Sequence, residues 1–409
     1  MRRCREIRNI VFLGLISFFM DVSSEMVYPI IPLYLTAAFG ATPSLVGVIE
    51  GIAESTASLL KVFSGYITDK YKKKKPIAFA GYATGLLYKL ALLFAGSWAG
   101  ILAARVIDRL GKGIRTAPRD VMVSESAEGD TMGKAFGVHK ALDMAGSALG
   151  IILSYILLKD LAAGSGSGQG ISVTGTDMVD TYRPIFIVSI VPTVLALLMF
   201  AFIKEKKEPR QIKKREKFWV GFSSLDGRLK LYLLIVFLFT LGNSSNTFLL
   251  LRAKSAGFDD TNVILLYFLY NLTASVLAVP FGKMSDRIGR KSVLTCGYLL
   301  FSAVYAGFAF ASSVPAFVLI FTVYGVFTAM TAGVERALIA EIAPTELKGT
   351  MLGLHSTVSG VALLPASVIC GFLWDRFGTA VPFLFGAGMA MMAAVLLLVF
   401  FRQNGKDER

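Results

Sequence analysis

"GKMSDRIGRK", residues 282–291, packs four bases and one acid into ten residues at the junction of two long apolar stretches, 262–283 and 292–311. Basic residues collected between two bilayer-length segments read as a short connection on the face of a membrane where Lys and Arg accumulate. A similar string, "GYITDKYKKKK" (65–75), ends the apolar stretch 44–68, and its Asp69 stands 217 residues before Asp286. Further on, "GKAFGVH" (133–139) and "GTMLGLH" (349–355) correspond at an offset of 216, and they carry the two histidines of the chain, His139 and His355. Similarity that recurs at nearly the same offset, 216 or 217 residues, points to internal duplication.

About twelve apolar stretches of membrane-crossing length can be placed along the chain, at 9–35, 44–68, 77–96, 98–124, 133–158, 184–203, 229–251, 262–283, 292–311, 315–342, 350–374 and 382–401. Over 409 residues the hydrophobic share is 55% and the mean hydropathy +0.63, above the range of soluble domains. The first stretch is too long for a signal peptide and has no small-residue cleavage site after it, so it is read as a retained span. The run "KEKKEPRQIKKREK" (204–217) has no apolar face and reads as a solvated linker between two sets of six spans. The expected fold is an all-α membrane protein with 12 transmembrane helices. An N-terminal bundle covers 1–203, a cytoplasmic linker 204–228 and a C-terminal bundle 229–409.

The net charge of +14 is distributed in a way that argues against nucleic acid. If the N-terminus is cytoplasmic, the outer connections hold only Lys159, Arg183, Arg252, Lys254 and Arg376. That bias places both termini in the cytoplasm of a multi-pass protein in the cell inner membrane. Cys4, Cys296 and Cys370 form neither a disulfide framework nor a metal-spaced cluster. "RLGKGIR" (109–115) lacks the spacing and the Ser/Thr of a phosphate loop, and "AAGSGSGQGISVTGTD" (162–177) reads as a flexible outer loop. No nucleophile–base pair is recognisable, so an enzyme is not expected.

The two Gly–Asp–basic loops resemble the loop signature of the major facilitator superfamily. The second copy, with Gly282, Asp286, Arg287, Gly289 and Arg290, is complete, whereas the first, with Gly65, Asp69 and Lys70, has Lys72 where the second glycine belongs. "ARVIDRLGKG" (104–113) is similar to that superfamily's fourth-span motif, with Arg105 on its arginine and Arg109 in place of its first glycine. "APTELKGTMLGL" (343–354) is similar to its link into span eleven. The resemblance implies two six-helix bundles that give alternating access without ATP hydrolysis. It also implies that spans one, four, seven and ten line a central cavity, with the loop motifs gating the conformational change. In "DMAGSALG" (143–150) Gly146 and Gly150 match the span-five motif of the superfamily's drug–proton antiporters, but its proline is absent.

Ionisable residues inside spans are costly and usually face a cavity. Asp21, Glu25, Tyr28 and Pro32 share one helical face, as do Glu50, Glu54, Ser58 and Lys61; Arg105, Arg109, Lys112 and Arg119 lie near another, with Asp108 and Arg115 off it. Asp143 lies deeper in span five than His139. The candidate substrate and proton-coupling residues are therefore Asp21, Glu25, Glu54, Arg105, Asp108, Arg109 and Asp143. Two readings stay open for them: a titrating carboxylate beside an arginine anion clamp, or static pairs such as Asp21–Arg105 and Glu54–Arg109. Lys61 and Lys89 are expected to snorkel, and Lys112, Arg115 and Arg119 to approach the cytoplasmic end. Gly65 and Gly282 are expected at close helix contacts. No cofactor is expected, the proton gradient serving as energy source.

The expected function is proton-coupled secondary transport of a small organic molecule, anionic or zwitterionic in part, in the direction of export, by a monomer whose partners are its substrate and the bilayer. Import of an organic anion by a symporter or exchanger is the alternative. A non-transporting membrane sensor is the remote one.

Overall fold

A computed structural model describes residues 2–71, 74–126, 132–164, 176–203, 227–342 and 348–402. The linker expected at 204–228 lies largely outside the described residues, as does Lys72. Every regular element among them is helical.

The first six spans are α1 (Arg2–Val27) with α2 (Ile30–Phe39), α3 (Pro43–Tyr71), α4 (Lys74–Leu93), α5 (Trp98–Glu125), α6 (Met132–Gly164), and α7 (Thr176–Val188) with α8 (Ile190–Met199). The second six are α9 (Gly227–Gly242) with α10 (Thr247–Ser255), α11 (Asp260–Ile288), α12 (Arg290–Phe310), α13 (Val314–Thr331) with α14 (Val334–Ile342), α15 (Lys348–Phe377) and α16 (Val381–Arg402). Ten of these twelve are long and apolar enough to cross a membrane. The exceptions, α3 and α5, are 29 and 28 residues long but interrupted by charge.

Spans break where local chemistry disfavours a continuous ladder. At Tyr28–Pro29 the proline supplies no N–H and restricts the residue before it. The equivalent place in span seven is the polar stretch Asn243–Asn246, between α9 and α10. Gly289, at φ +94°, separates α11 from α12. A left-handed residue there favours glycine.

The chain forms two compact units, Met1–Lys206 with Asn246–Phe268, and Lys207–Ser245 with Leu269–Arg409. Residues 246–268, placed by the repeat in the second half, pack with the first six spans: α10 lies on α2 and α3, and the Tyr182 hydroxyl donates to Asp260. In the first unit Leu13, Ile16 and Met20 pack against Ala78, Tyr82, Met122 and Val123. The second unit is built on aromatic stacks, with Phe239 3.8 Å from Tyr298 and Phe301 3.9 Å from Tyr305. Large apolar side chains such as Phe94, Phe310, Val276 and Leu319 are exposed, as on a surface that faces lipid.

Candidate functional site

A cavity of about 200 Å³ lies in the first unit. The α1 stripe supplies Asp21, Ser24 and Glu25, with Tyr28 at the helix break; α3 supplies Glu54 and α4 Tyr88. From α5 come Arg105, Asp108, Arg109, Lys112 and Arg115, and Asn246 and Tyr267 close the lining. Four acids thus face four bases.

The pairs differ from the expected ones at one point. Arg105 does not pair with Asp21: its Nε and Nη2 donate to the two Glu50 oxygens at 2.9 and 2.7 Å. Glu50 lies one helical turn before Glu54 on the same face and is almost wholly buried, which makes it the natural partner of a buried guanidinium. The expected Glu54–Arg109 pair forms, at 2.8 Å. Asp108 sits 3.8 Å from Arg105 Nη1 and 3.6 Å from Arg109 Nη1. Asp21 has no ion-pair partner within 4 Å among the described residues, and Asp143 receives Lys140 Nζ at 2.8 Å.

Glu25 stands apart. It accepts from the Tyr267 hydroxyl at 3.1 Å and has no ion-pair partner within 4 Å among the described residues. Tyr28 carries the Arg105 and Arg109 guanidinium carbons at 5.3 and 5.8 Å from its ring centre and meets Tyr267 at 5.7 Å. Ser24 Oγ, Arg109 Nε and Arg115 Nη1 are buried without a hydrogen-bond partner among the described residues. The Lys112 ammonium has no direct partner there either, and its side chain is exposed.

Six of the seven candidate residues therefore line one cavity, and Asp143 is not among its lining residues. Lys112 and Arg115 join them, because a helix as tightly packed as α5 presents adjoining faces to the same opening. Lys89 does not snorkel: it is fully buried, with Nζ 4.5 Å from the Tyr88 ring centre and unpartnered among the described residues. Glu50 could have been picked from the i, i+4 spacing; Tyr267 and Asn246 could not, since no periodicity links them to α1. Among the described residues no group of three or more His, Cys, Asp or Glu could hold a metal ion.

Gly146 and Gly150 explain how α1 is held. A Cβ on Gly146 would strike the Phe18 carbonyl oxygen, and one on Gly150 would lie 2.5 Å from that of Val22 and 3.1 Å from Glu25 Cβ. Gly150→Ala is expected to cost about 1–3 kcal/mol by overpacking and to displace Glu25. Thermal unfolding in detergent checks this, and wild-type stability in the variant contradicts the tight contact.

The sequence matches the family profile described as Major Facilitator Superfamily over residues 13–251 and 231–409. The chain belongs to the Major Facilitator Superfamily. It is 38% identical over 397 residues to an uncharacterised MFS-type transporter of Methanocaldococcus jannaschii, across 96% of this chain and 94% of that one. It is 27% identical over 133 residues to the multi-drug resistance efflux pump PmrA of Streptococcus pneumoniae, 32% of this chain and 33% of that protein. Crystal structures of the nucleoside transporter NupG (TM-score 0.75, 12% identity, 96% and 98% coverage) and of a D-xylose–proton symporter (0.72, 16%, 96% and 96%) share its fold. As a member of this superfamily it is a multi-pass membrane transporter, not an enzyme.

The superfamily loop motif is visible in its second copy. Arg290 donates to the Ala337 carbonyl at 2.9 Å and lies 3.1 Å from Glu341 and 3.5 Å from Asp286, tying the start of α12 to α14. Arg287 is exposed. At Gly282 a Cβ would meet nothing within 4 Å among the described residues, so no close helix approach requires glycine there. Gly65, Asp69 and Lys70 fall in the last turns of α3, and their side chains lie outside the described residues.

Proposed function

We propose that this transporter is proton-coupled and exports a small organic ion, anionic or zwitterionic, by alternating access across the cell inner membrane, with both termini cytoplasmic. The observation that carries the reading is the first-unit cavity, in which acids face bases while Arg109 Nε, Arg115 Nη1 and the Lys112 ammonium lack partners among the described residues. Such donors suit a carboxylate or phosphate. Arg105, held at two points by Glu50, is largely occupied. Glu25, without an ion-pair partner among the described residues, is the carboxylate assigned to proton exchange. A cavity of about 200 Å³ is below the ~300–1,000 Å³ of drug-sized sites and favours a compact polar substrate. Export is supported by the likeness to an efflux pump, and the termini by the distribution of basic residues.

The test uses purified protein in liposomes with a trapped pH dye, challenged with small carboxylates, phosphates and zwitterions. A transported compound is expected to drive proton movement in the opposite direction. Transport of a compound with no accompanying proton movement would sink the coupling. Lys112→Gln is expected to weaken apparent affinity for an anionic substrate about tenfold, roughly 1.4 kcal/mol, with little change for a neutral analogue. Equal affinities in variant and wild type would remove Lys112 from the anion site.

A further inference from the structure

The duplication at offset 216 relates three pairs of residues beyond the loop motifs: Tyr82 with Tyr298, Arg119 with Glu335, and His139 with His355. Each triple converges. In the first half Ser17 Oγ lies 3.0 Å from His139 Nε2 and 3.2 Å from the Tyr82 hydroxyl, and accepts from Arg119 at 3.3 Å. In the second half the Tyr298 hydroxyl donates to Glu335 Oε1 at 3.1 Å, and the Tyr232 hydroxyl donates to the Glu335 carbonyl, also at 3.1 Å. Tyr232 stands one residue from the counterpart of Ser17.

The two clusters share a scaffold but differ in charge. Arg119 keeps its proton and pairs with Asp120 at 2.9 Å, and His139 is hydrogen-bonded. Glu335, by contrast, has His355 Nε2 3.8 Å from Oε2, and that nitrogen is without a hydrogen-bond partner among the described residues. His355 is only 7% exposed, and its ring stacks on Tyr232 with centres 6.4 Å apart. An acid and an unpartnered imidazole nitrogen thus face each other inside an apolar bundle, with a gap that a shared proton would draw closed.

We propose that Glu335 and His355 form a second proton-binding site of this transporter, held by Tyr298 and Tyr232. Without the proton the cluster carries one negative charge. With it, as imidazolium–carboxylate or imidazole–carboxylic acid, the net charge is zero and the pair can be buried at far lower cost. The groups facing Glu335 are Tyr298 on α12, Tyr232 on α9 and His355 on α15, while Arg336 beside it on α14 is exposed. The ionisable side chain of α13, Tyr324, packs on Tyr270 and Phe327 instead. The proposal does not depend on coupling through Glu25, since protonation is read without substrate.

The experiment labels histidine with ¹⁵N in the purified full-length protein and follows the two imidazoles against pH, with His139→Gln assigning them. Infrared difference spectra follow the carboxyl C=O band over the same range. In Glu335→Gln the His355 midpoint is expected to move by about one pH unit or the titrating carboxyl band to disappear, whereas Glu25→Gln leaves both at His355 and Glu335 unchanged. If Glu335→Gln does not purify, Tyr298→Phe, which deletes a hydrogen bond to the carboxylate, must move the same signals. A His355 midpoint and a carboxyl band both indifferent to the residue at 335 and to Tyr298→Phe overturn the proposal.

Discussion

Arg105→Ala is expected to lower stability by about 3–5 kcal/mol, the range for removing one partner of a buried ion pair. Both side chains of the Arg105–Glu50 pair are almost fully buried, and the guanidinium engages both carboxylate oxygens. Truncation leaves Glu50 charged without its partner and takes one of two cations from Asp108. It also removes the cation stacked near Tyr28. A double variant, Glu50→Gln with Arg105→Gln, buries no net charge and is expected to recover a large part of the loss, because desolvation of charge rather than lost contact dominates the single variant. Unfolding monitored in detergent distinguishes them. A double variant less stable than Arg105→Ala would mean that the pair contributes net attraction beyond its desolvation.

Glu25→Gln is expected to reduce substrate-driven proton movement by about 100-fold or more, while exchange of substrate for substrate continues near the wild-type rate. Glutamine keeps almost the same volume and still offers an oxygen to the Tyr267 hydroxyl, which lies 3.1 Å from the carboxylate, so the wall of the cavity is preserved. What is lost is the exchangeable proton, which exchange without net proton transfer does not need. Glu54→Gln serves as the contrast, since it strips Arg109 of its 2.8 Å partner and should impair folding or binding as well. Proton movement that survives Glu25→Gln unchanged removes Glu25 from proton exchange.

These two variants also separate what can be read from sequence from what cannot. Asp21 and Glu25 fall on one face of α1, and Glu50 with Glu54 on one face of α3, from spacing alone. Which acid meets which base depends instead on how each helix is rotated and shifted against its neighbour. Successive residues differ by about 100° and 1.5 Å, so a one-residue shift between α3 and α5 changes the partner of Arg105. For the same reason spacing alone misplaces Lys89 and does not link Tyr267 to Glu25.

Apolar length and helical period suffice to place the twelve spans, the repeat at 216–217 residues and the faces that carry charge, because burial in a bilayer constrains both. Helix packing, in contrast, sets that Arg105 belongs to Glu50, that Tyr267 reaches Glu25 and that His355 faces Glu335 where His139 meets Ser17. Those contacts join residues up to 242 positions apart, and their free energy depends on the angle and depth at which packed helices meet.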